Sequence, residues 1–102
     1  MNKAYKRLLH QCVGFEWDKG NIDKNWVKLK VGPGECEQIF FNHPLVVQDD
    51  IAHSTTEKRY YALGRTDLKR NLFIAFAIRN KHIRVIFARD MSRKEKEVFN
   101  DE

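Results

Sequence analysis

The feature that most constrains the fold is a nearly unbroken apolar run in the C-terminal half, Leu72–Arg79. A strand with one wet face alternates apolar and polar residues, and this run shows no such alternation. We therefore predict a central β-strand that is buried on both faces. The turn residues Asn80-Lys81-His82 separate it from a second strand, Ile83–Arg89, and two strands joined by so short a turn pair antiparallel.

The segment before this run also favours strands. Leu45–Gln48 is short and apolar, and Asp49–Thr56 has the composition of a polar loop. Arg59–Arg65 is a strand candidate, which a hairpin turn at Asp67–Asn71 links to the central strand. Three consecutive strands joined by short turns predict an antiparallel meander.

The N-terminal half carries helix signals instead. After a short strand at about Cys12–Trp17, Asp18 can accept hydrogen bonds at the start of a helix. Apolar residues spaced by four and three then mark one helix face: Ile22, Trp26 and Leu29. A Gly-Pro-Gly break leads to a second helix, about Glu35–Phe41, which must end before Pro44.

A terminal helix completes the pattern, because Ser92 and Glu95 form a capping-box sequence ahead of Val98 and Phe99. The predicted order is β-α-α-β-β-β-α in a single domain spanning residues 1–102. We expect an α+β fold in which two helices pack on one face of a mainly antiparallel sheet.

Positive charge is concentrated in one stretch of the chain. Residues 58–96 hold 12 of the 19 Lys and Arg but only 3 of the 14 Asp and Glu, within a net charge of +5. Such a stretch attracts phosphate, and nucleic acid is the commonest phosphate polymer of a cytoplasm. An ordinary solvated surface is the alternative interpretation of the same charges.

Other features bear on location and cofactors. No apolar run approaches the roughly 20 residues that span a bilayer, and no signal-peptide cleavage site follows the basic N-terminus, so we expect a cytoplasmic protein without membrane contact. Cys12 and Cys36 do not form a C-x-x-C pair, which favours reduced, buried thiols over a disulfide or a zinc site. No metal or cofactor is expected, since P-loop, dinucleotide-binding and zinc-protease patterns are all missing from the sequence.

Side-chain alternation along each strand predicts which residues share a face of the sheet. On each strand, we assign the set of alternating residues with the bulkier side chains to the face beneath the helices. The other face is then floored by small residues and edged by larger ones: Ala62, Gly64, Ala75, Ala77 and Ala88, with Tyr60, Arg79 and Arg84. Such a shallow basic trough suits a strand of RNA, with Tyr60 or Phe73 stacking on a base. Alternatively, the small residues make room for the terminal helix.

Several segments, in order, resemble bacterial BrnT-type toxins. They are Phe15-Glu16-Trp17-Asp18, Asn25-x-x-Lys28, Ala62-Leu63-Gly64-Arg65-Thr66 and the long run Ile83–Glu95. The resemblance extends from about Phe15 to Phe99 and leaves residues 1–14 as an N-terminal extension. It implies the RelE-like ribonuclease fold and metal-independent RNA cleavage that stops translation. It also implies a BrnA-like ribbon-helix-helix antitoxin, which forms a heterotetramer with the toxin and alone contacts operator DNA.

One position departs from the family pattern. Where the family often has Lys-His-Gly at the end of the first helix, this chain has Lys28-Leu29-Lys30. If that histidine takes part in cleavage, we expect this protein to cleave RNA slowly or not at all. The alternative functions are therefore a non-catalytic toxin that still binds its antitoxin and a nucleic-acid-binding module.

Metal-independent RNA cleavage needs groups that grip the phosphate and groups that move two protons. Arginine suits the first role, since its planar fork offers paired donors and stays charged. We predict that Arg84 and Arg89 stabilise the phosphoryl oxygens, with support from Arg65 and Arg79. Further RNA contacts are predicted for four residues: Lys28, Tyr60, Arg93 and Lys94.

The proton donor and acceptor stay open among five candidates: Lys28, His53, Glu57, Tyr60 and His82. Three other cations, Lys69, Arg70 and Lys81, are expected only to attract nucleic acid non-specifically or to contact an acidic partner.

Overall fold

The computed structural model describes residues 3–101, which form an α+β fold as the sequence predicts. The helices are α1 (Lys3–His10), α2 (Lys19–Lys24), α3 (Pro33–Ile39) and α4 (Arg93–Asn100), and a π-helical turn, Asn25–Leu29, continues α2. The strands are β1 (Gly14–Glu16), β2 (Val46–Asp49), β3 (Tyr60–Arg65), β4 (Asn71–Arg79) and β5 (His82–Asp90). A single 3-10 turn, Ile51–His53, follows β2. Within residues 3–101, every helix is too short or too polar to cross a membrane.

Two elements are additional to the predicted order. Helix α1 lies within the expected N-terminal extension, where the side chains of Tyr5, Leu8 and Leu9 pack against the core. Strand β2 forms in the short apolar segment because its backbone pairs antiparallel with that of β3. The hydroxyl of Tyr5 donates to Oδ1 of Asp49 at 2.9 Å, which ties α1 to the end of β2.

The strands lie in the order β1-β5-β4-β3-β2. Strands β3, β4 and β5 form the predicted meander, and β1 pairs parallel with β5 at one edge. The turn between β4 and β5 consists of Asn80 and Lys81, whose φ values of 51° and 61° are both positive. Positive φ at both central residues is typical of the type I′ turn, whose twist matches that of the strands it joins.

The main core lies on the sheet face covered by α1 and α3, which we term the inner face. Buried side chains of β4 pack there against the end of the π-helical turn and against α3. Residue 64 sits beneath α3, and a Cβ atom at this position would lie only 2.7 Å from Cβ of Ile39. Helix α3 approaches β3 this closely because Gly64 has no side chain.

Cross-strand pairing corrects part of the predicted face assignment. Four residues predicted on the opposite, outer face lie on the inner face among bulky side chains: Tyr60, Ala62, Gly64 and Ala88. Conversely, Tyr61, Leu63 and Phe87 lie on the outer face with Phe73, Ala75 and Ala77. The prediction was wrong here because alternation fixes the faces within one strand but does not fix the register between strands.

A β-bulge in β5 adds a second correction. Ala75 lies opposite Phe87 whereas Phe76 lies opposite Val85, which leaves Ile86 as an extra residue. The alternation of side chains is therefore inverted beyond the bulge. As a result Arg89 shares the outer face with Arg84, whereas simple alternation predicts that they lie on opposite faces.

Arg70 joins three separate parts of the fold. Its Nε and Nη2 donate to the carboxylate of Asp90 at 2.7 and 3.1 Å, and its Nη1 donates to Glu35 at 3.2 Å and to the carbonyl of Lys30 at 2.7 Å. These contacts, with the hydrogen bond to Asp90 contributing most, raise the pKa of Arg70 further above its ordinary value. The expectation that Arg70 only attracts nucleic acid non-specifically or contacts an acidic partner was wrong, because its guanidinium group hydrogen-bonds within the fold.

Candidate nucleic-acid interface

Helix α4 crosses one end of the outer face. The ring of Phe99, 1% exposed, holds it there in a cluster with three other buried residues: Val46, Leu63 and Met91. The capping box predicted from the sequence is present, since Ser92 Oγ accepts from the backbone N–H of Glu95 and a carboxylate oxygen of Glu95 accepts from that of Ser92. The start of α4 is thereby fixed against the sheet.

A groove of about 340 Å³ lies between α4, the 3-10 turn and the sheet, and we term it the α4 groove. Its lining residues are Asp50, His53, Tyr61, Leu63, Phe73, Lys94, Glu95 and Val98. The rings of Tyr61 and Phe73 are stacked, with centroids 5.6 Å apart and planes inclined by 21°. Both side chains are partly exposed, and partly exposed rings can stack on nucleic-acid bases.

Arg89 lies beside this groove and is oriented by Glu95. Its Nη1 and Nη2 donate to the two carboxylate oxygens of Glu95 at 2.7 and 2.9 Å, and its guanidinium carbon lies 4.1 Å from the centroid of the Phe73 ring. The hydrogen bonds from Arg89 are the main cause that lowers the pKa of Glu95. Among residues 3–101, Nε of Arg89 has no hydrogen-bond acceptor, so this donor remains available for a phosphate oxygen.

His53 stands on the 3-10 turn at the groove. Its Nδ1 lies 3.1 and 3.0 Å from the two carboxylate oxygens of Asp50, and its side chain is 67% exposed. A carboxylate that engages one ring nitrogen orients the imidazole and leaves the other nitrogen for proton transfer. His53 is the one of the five proton-transfer candidates that lines the α4 groove.

The other four candidates lie elsewhere. Tyr60 is 8% exposed and stacks on Phe76 in the inner core at 5.4 Å, so its ring is not available to RNA on the outer face. Glu57 accepts a hydrogen bond from Arg79, and His82 bonds the carbonyl oxygen of Asn80. Lys28 is exposed on the π-helical turn, in the layer that covers the inner face.

Sequence reasoning missed Tyr61, which supplies the outer-face ring that Tyr60 was expected to supply. Alternation in β3 does place Tyr60 and Tyr61 on opposite faces. The signal that would have chosen between them is the register of β3 against β4, where Tyr61 lies opposite Ala75. That register depends on tertiary packing and is not encoded in the β3 segment alone.

Arg84 and Arg79 lie at the other end of the outer face. Arg84 is paired with Ala77 and is thus diagonal to Arg79, which places their Cα atoms about 7–8 Å apart. The Nη atoms of Arg84 lie 3.8 and 3.7 Å from carboxylate oxygens of Glu16 and Asp18, beyond hydrogen-bond range. Arg79 donates to Glu57 at 3.0 Å, and its side chain is 46% exposed.

The four predicted arginines therefore form two pairs. Arg84 and Arg89 are five residues apart on β5, roughly 15 Å along a strand, so they do not meet at one phosphate. Arg65 lies at the same end of the outer face as Arg89. Its Nε donates to Asn71, and its guanidinium lies 5.3 Å from the centroid of the Phe99 ring beneath α4. The structure thus separates the predicted arginine set into a pair at the α4 end and a pair at the opposite end.

The remaining predicted contacts lie on the first turn of α4. Arg93 and Lys94 are both exposed there, and Lys94 lines the α4 groove. In the part of the chain that the structure describes, no three His, Cys, Asp or Glu side chains lie together as potential metal ligands. The groups at this end of the face are stacked rings, cationic nitrogens, an imidazole and two carboxylates, Asp50 and Glu95, which pair with His53 and Arg89.

Most of the chain, residues 17–95, matches the family model described as the ribonuclease toxin, BrnT, of type II toxin–antitoxin systems. Comparison with curated proteins gives no significant match. The matched range includes the four arginines, His53, Tyr61 and Lys94, and it leaves α1 and β1 outside. The chain belongs to the BrnT family of ribonuclease toxins of type II toxin–antitoxin systems.

Proposed function

We propose that this toxin is a metal-independent endoribonuclease that cleaves RNA in the α4 groove. The observation that carries the proposal is the content of that groove, where stacked rings, His53 and Lys94 share one cavity beside Arg89. Cleavage of RNA without a metal needs a surface for a base, cations for the phosphate and a carrier for protons. The α4 groove offers all three.

RNA brings its own nucleophile to this reaction. The 2′-oxygen attacks the adjacent phosphorus while its proton passes to a general base. The bond between phosphorus and the 5′-oxygen breaks, and the leaving 5′-oxygen takes up a proton from water. The products are a 2′,3′-cyclic phosphate and a free 5′-hydroxyl, and negative charge builds up on the non-bridging oxygens in between.

We assign the first proton transfer to Nε2 of His53, with Asp50 orienting the ring through Nδ1. Nε of Arg89 and Nζ of Lys94 donate to the non-bridging oxygens. Glu95 is a positioning residue, because its paired hydrogen bonds hold the Arg89 guanidinium against Phe73. Arg84 and Arg79 bind the RNA backbone farther along the outer face and do not take part in the chemistry.

Cleavage of a labelled single-stranded RNA in the presence of EDTA tests the proposal. His53→Ala should lower the rate by about 10²–10⁴-fold because the general base is lost. Arg89→Ala should lower it by about 10²–10³-fold because a donor to the phosphate is lost. His82→Ala is the matched control, since this histidine is the first residue of β5, at the end of the strand far from the α4 groove, and its loss should leave the rate unchanged.

Each outcome of this experiment is informative. A wild-type rate in His53→Ala removes the assigned base, and a wild-type rate in Arg89→Ala removes the assigned phosphate donor. RNA that stays intact in EDTA but is cut on addition of Mg²⁺ overturns metal independence.

We also propose that the neutralising partner is a BrnA-like ribbon-helix-helix antitoxin. An antitoxin dimer and two toxin chains then form a heterotetramer, and the antitoxin alone contacts operator DNA. Support comes from the family, whose description names a type II toxin–antitoxin system. Light scattering of the co-purified complex measures the stoichiometry, and a gel shift with toxin alone should leave operator DNA free.

A second candidate function is that of a toxin without catalysis that retains antitoxin binding. Leu29 favours it, because this residue occupies the place where BrnT toxins often carry histidine and packs against the inner core. RNA that stays intact with and without Mg²⁺, together with tight antitoxin binding, would select this function over the ribonuclease.

A further inference from the structure

A second and larger groove lies on the inner side of the sheet, between α1, β1 and the segment that links α3 to β2. Its volume is about 510 Å³, and we term it the N-terminal groove. Its apolar lining consists of Leu9, Cys12, Val13, Phe15, Phe40, Phe41, Leu45 and Ile83, and its polar lining includes Lys6, His10, Asn42 and His43. About half of it is built by residues that precede the region matching the BrnT family model.

Large apolar side chains stand exposed in this groove. Val13 is 73% exposed and Phe41 is 74% exposed, while Phe15 links them to the interior, with its ring centroid 6.2 Å from that of Phe41 and 5.7 Å from that of Phe40. Exposed apolar residues grouped in a concave site are typical of surfaces that bind a partner.

The ionisable side chains that line the groove, apart from the Cys12 thiol, are basic, and the carboxylate of Asp67 lies just outside the lining, 2.9 Å from Nδ2 of Asn42. Helix α1 along its edge carries Lys3, Lys6, Arg7 and His10 and has no acidic residue. None of the groove-lining residues that the structure describes is Asp or Glu. A binding segment that places acidic residues against α1 and apolar residues on the floor would match both properties.

We infer that the N-terminal groove binds an acidic, amphipathic segment of the protein antitoxin. The identity of the partner as an antitoxin rests on the proposed function. A nucleic acid fits the floor poorly, because five of the eight apolar lining residues carry no ring, and the rings of Phe15 and Phe40 pack against other phenylalanine rings. The stacked pair that suits RNA is on the opposite side of the sheet, in the α4 groove.

This position has a functional consequence. An antitoxin segment bound in the N-terminal groove is separated from the α4 groove by the sheet. The groove therefore anchors the antitoxin without itself blocking RNA, and changes in it should alter antitoxin affinity while leaving cleavage by the free toxin unchanged.

The labelling rates of the two cysteines show whether the N-terminal groove is occupied in the co-purified complex. Cys12 lines the groove and is partly exposed, whereas Cys36 is 1% exposed and serves as an internal control. Saturating antitoxin should slow maleimide labelling of Cys12 by about tenfold or more relative to free toxin. An unchanged labelling rate in the complex overturns the inference, as does equal protection by a single-stranded RNA without antitoxin.

Substitutions test the apolar contacts and the charge contacts of the N-terminal groove separately. Phe41→Ser removes an apolar contact, and the double variant Lys6→Glu/Arg7→Glu reverses the edge charge. Each should weaken antitoxin binding by about tenfold or more. The matched controls are Leu68→Ser, at a residue 92% exposed in the β3–β4 turn, and Lys19→Glu on α2, which should leave affinity unchanged.

Cleavage by the same variants without antitoxin separates this inference from the proposed function. Antitoxin affinity within about twofold of wild type in both groove variants overturns the inference, whatever the nuclease assay gives. If neither the wild type nor any variant cuts RNA while the groove variants bind antitoxin more weakly, the nuclease assignment is contradicted and the antitoxin site in the N-terminal groove is supported.

Discussion

The carboxylate of Glu95 makes two kinds of contact: it caps α4 by accepting from the backbone N–H of Ser92, and it orients Arg89 through paired hydrogen bonds. The first contact could be predicted, because a capping box is local and its two residues lie three apart. The second could not, because only the bulge in β5 brings Arg89 onto the face that α4 crosses. At the scale of single residues, local roles were predictable and partners across the fold were not.

Acid should destabilise the protein through two carboxylates. Arg89 lowers the pKa of Glu95 and Arg70 lowers that of Asp90, in each case mainly by hydrogen bonding to the charged form. A carboxyl whose pKa falls on folding stabilises the fold above its ordinary pKa, and this contribution is lost as the pH falls through the lower folded value. The free energy of unfolding should therefore decline below about pH 4.5, the ordinary pKa of Glu95.

Urea unfolding at a series of pH values measures this decline. Glu95→Gln should lower stability at neutral pH and flatten the decline in acid, since one of the two titrating groups is gone. Glu97→Gln, an exposed residue on the same helix, is the control. An acid slope in Glu95→Gln as steep as that of wild type would contradict the assignment.

The elements themselves were largely predictable. Turn chemistry and apolar runs predicted the meander of β3, β4 and β5, and Asp18 does cap α2 by accepting from the backbone N–H of Asn21. Helix α1 and strand β2 were not predicted as elements, because each depends on packing or pairing with distant parts of the chain. The sheet faces were only partly predicted, since register and the bulge are set by tertiary contacts.

The docking of α3 on β3 gives a test at the element scale. Gly64→Ala should destabilise the protein by about 1–3 kcal/mol, because the new Cβ overlaps Cβ of Ile39 and both elements must shift. Gly34→Ala is the matched control, since a Cβ there meets no atom within 4 Å. Urea unfolding compares the two, and equal stability of Gly64→Ala and wild type would contradict the close packing.

At the scale of the whole molecule, the concentration of positive charge was predictable but its use was not. Of the cations in residues 58–96, Arg70 is committed to the fold, while Arg89 and Arg84 serve separate ends of one face. The α4 groove joins the turn after β2 to the first turn of α4, which are far apart in sequence. No local motif could have predicted that combination.

Salt dependence of RNA binding tests the role of the far end of the outer face. Arg84→Ala and Arg79→Ala should each weaken binding and reduce the slope of log affinity against log salt by about 0.7, the value for one phosphate contact on a single strand. Lys24→Ala, at an exposed residue of α2, is the control. Fluorescence anisotropy with a non-cleavable RNA measures the slopes, and wild-type slopes in both variants would exclude these arginines from the RNA path.

The pairing of β1 with β5 has a consequence for how the toxin comes into being. Gly14–Glu16, made early in translation, pairs with His82–Arg84, and the α4 groove also needs the first turn of α4. A nascent chain on the ribosome therefore cannot complete this sheet edge before β5 has emerged, and the α4 groove, the proposed nuclease site, cannot form before α4 has emerged.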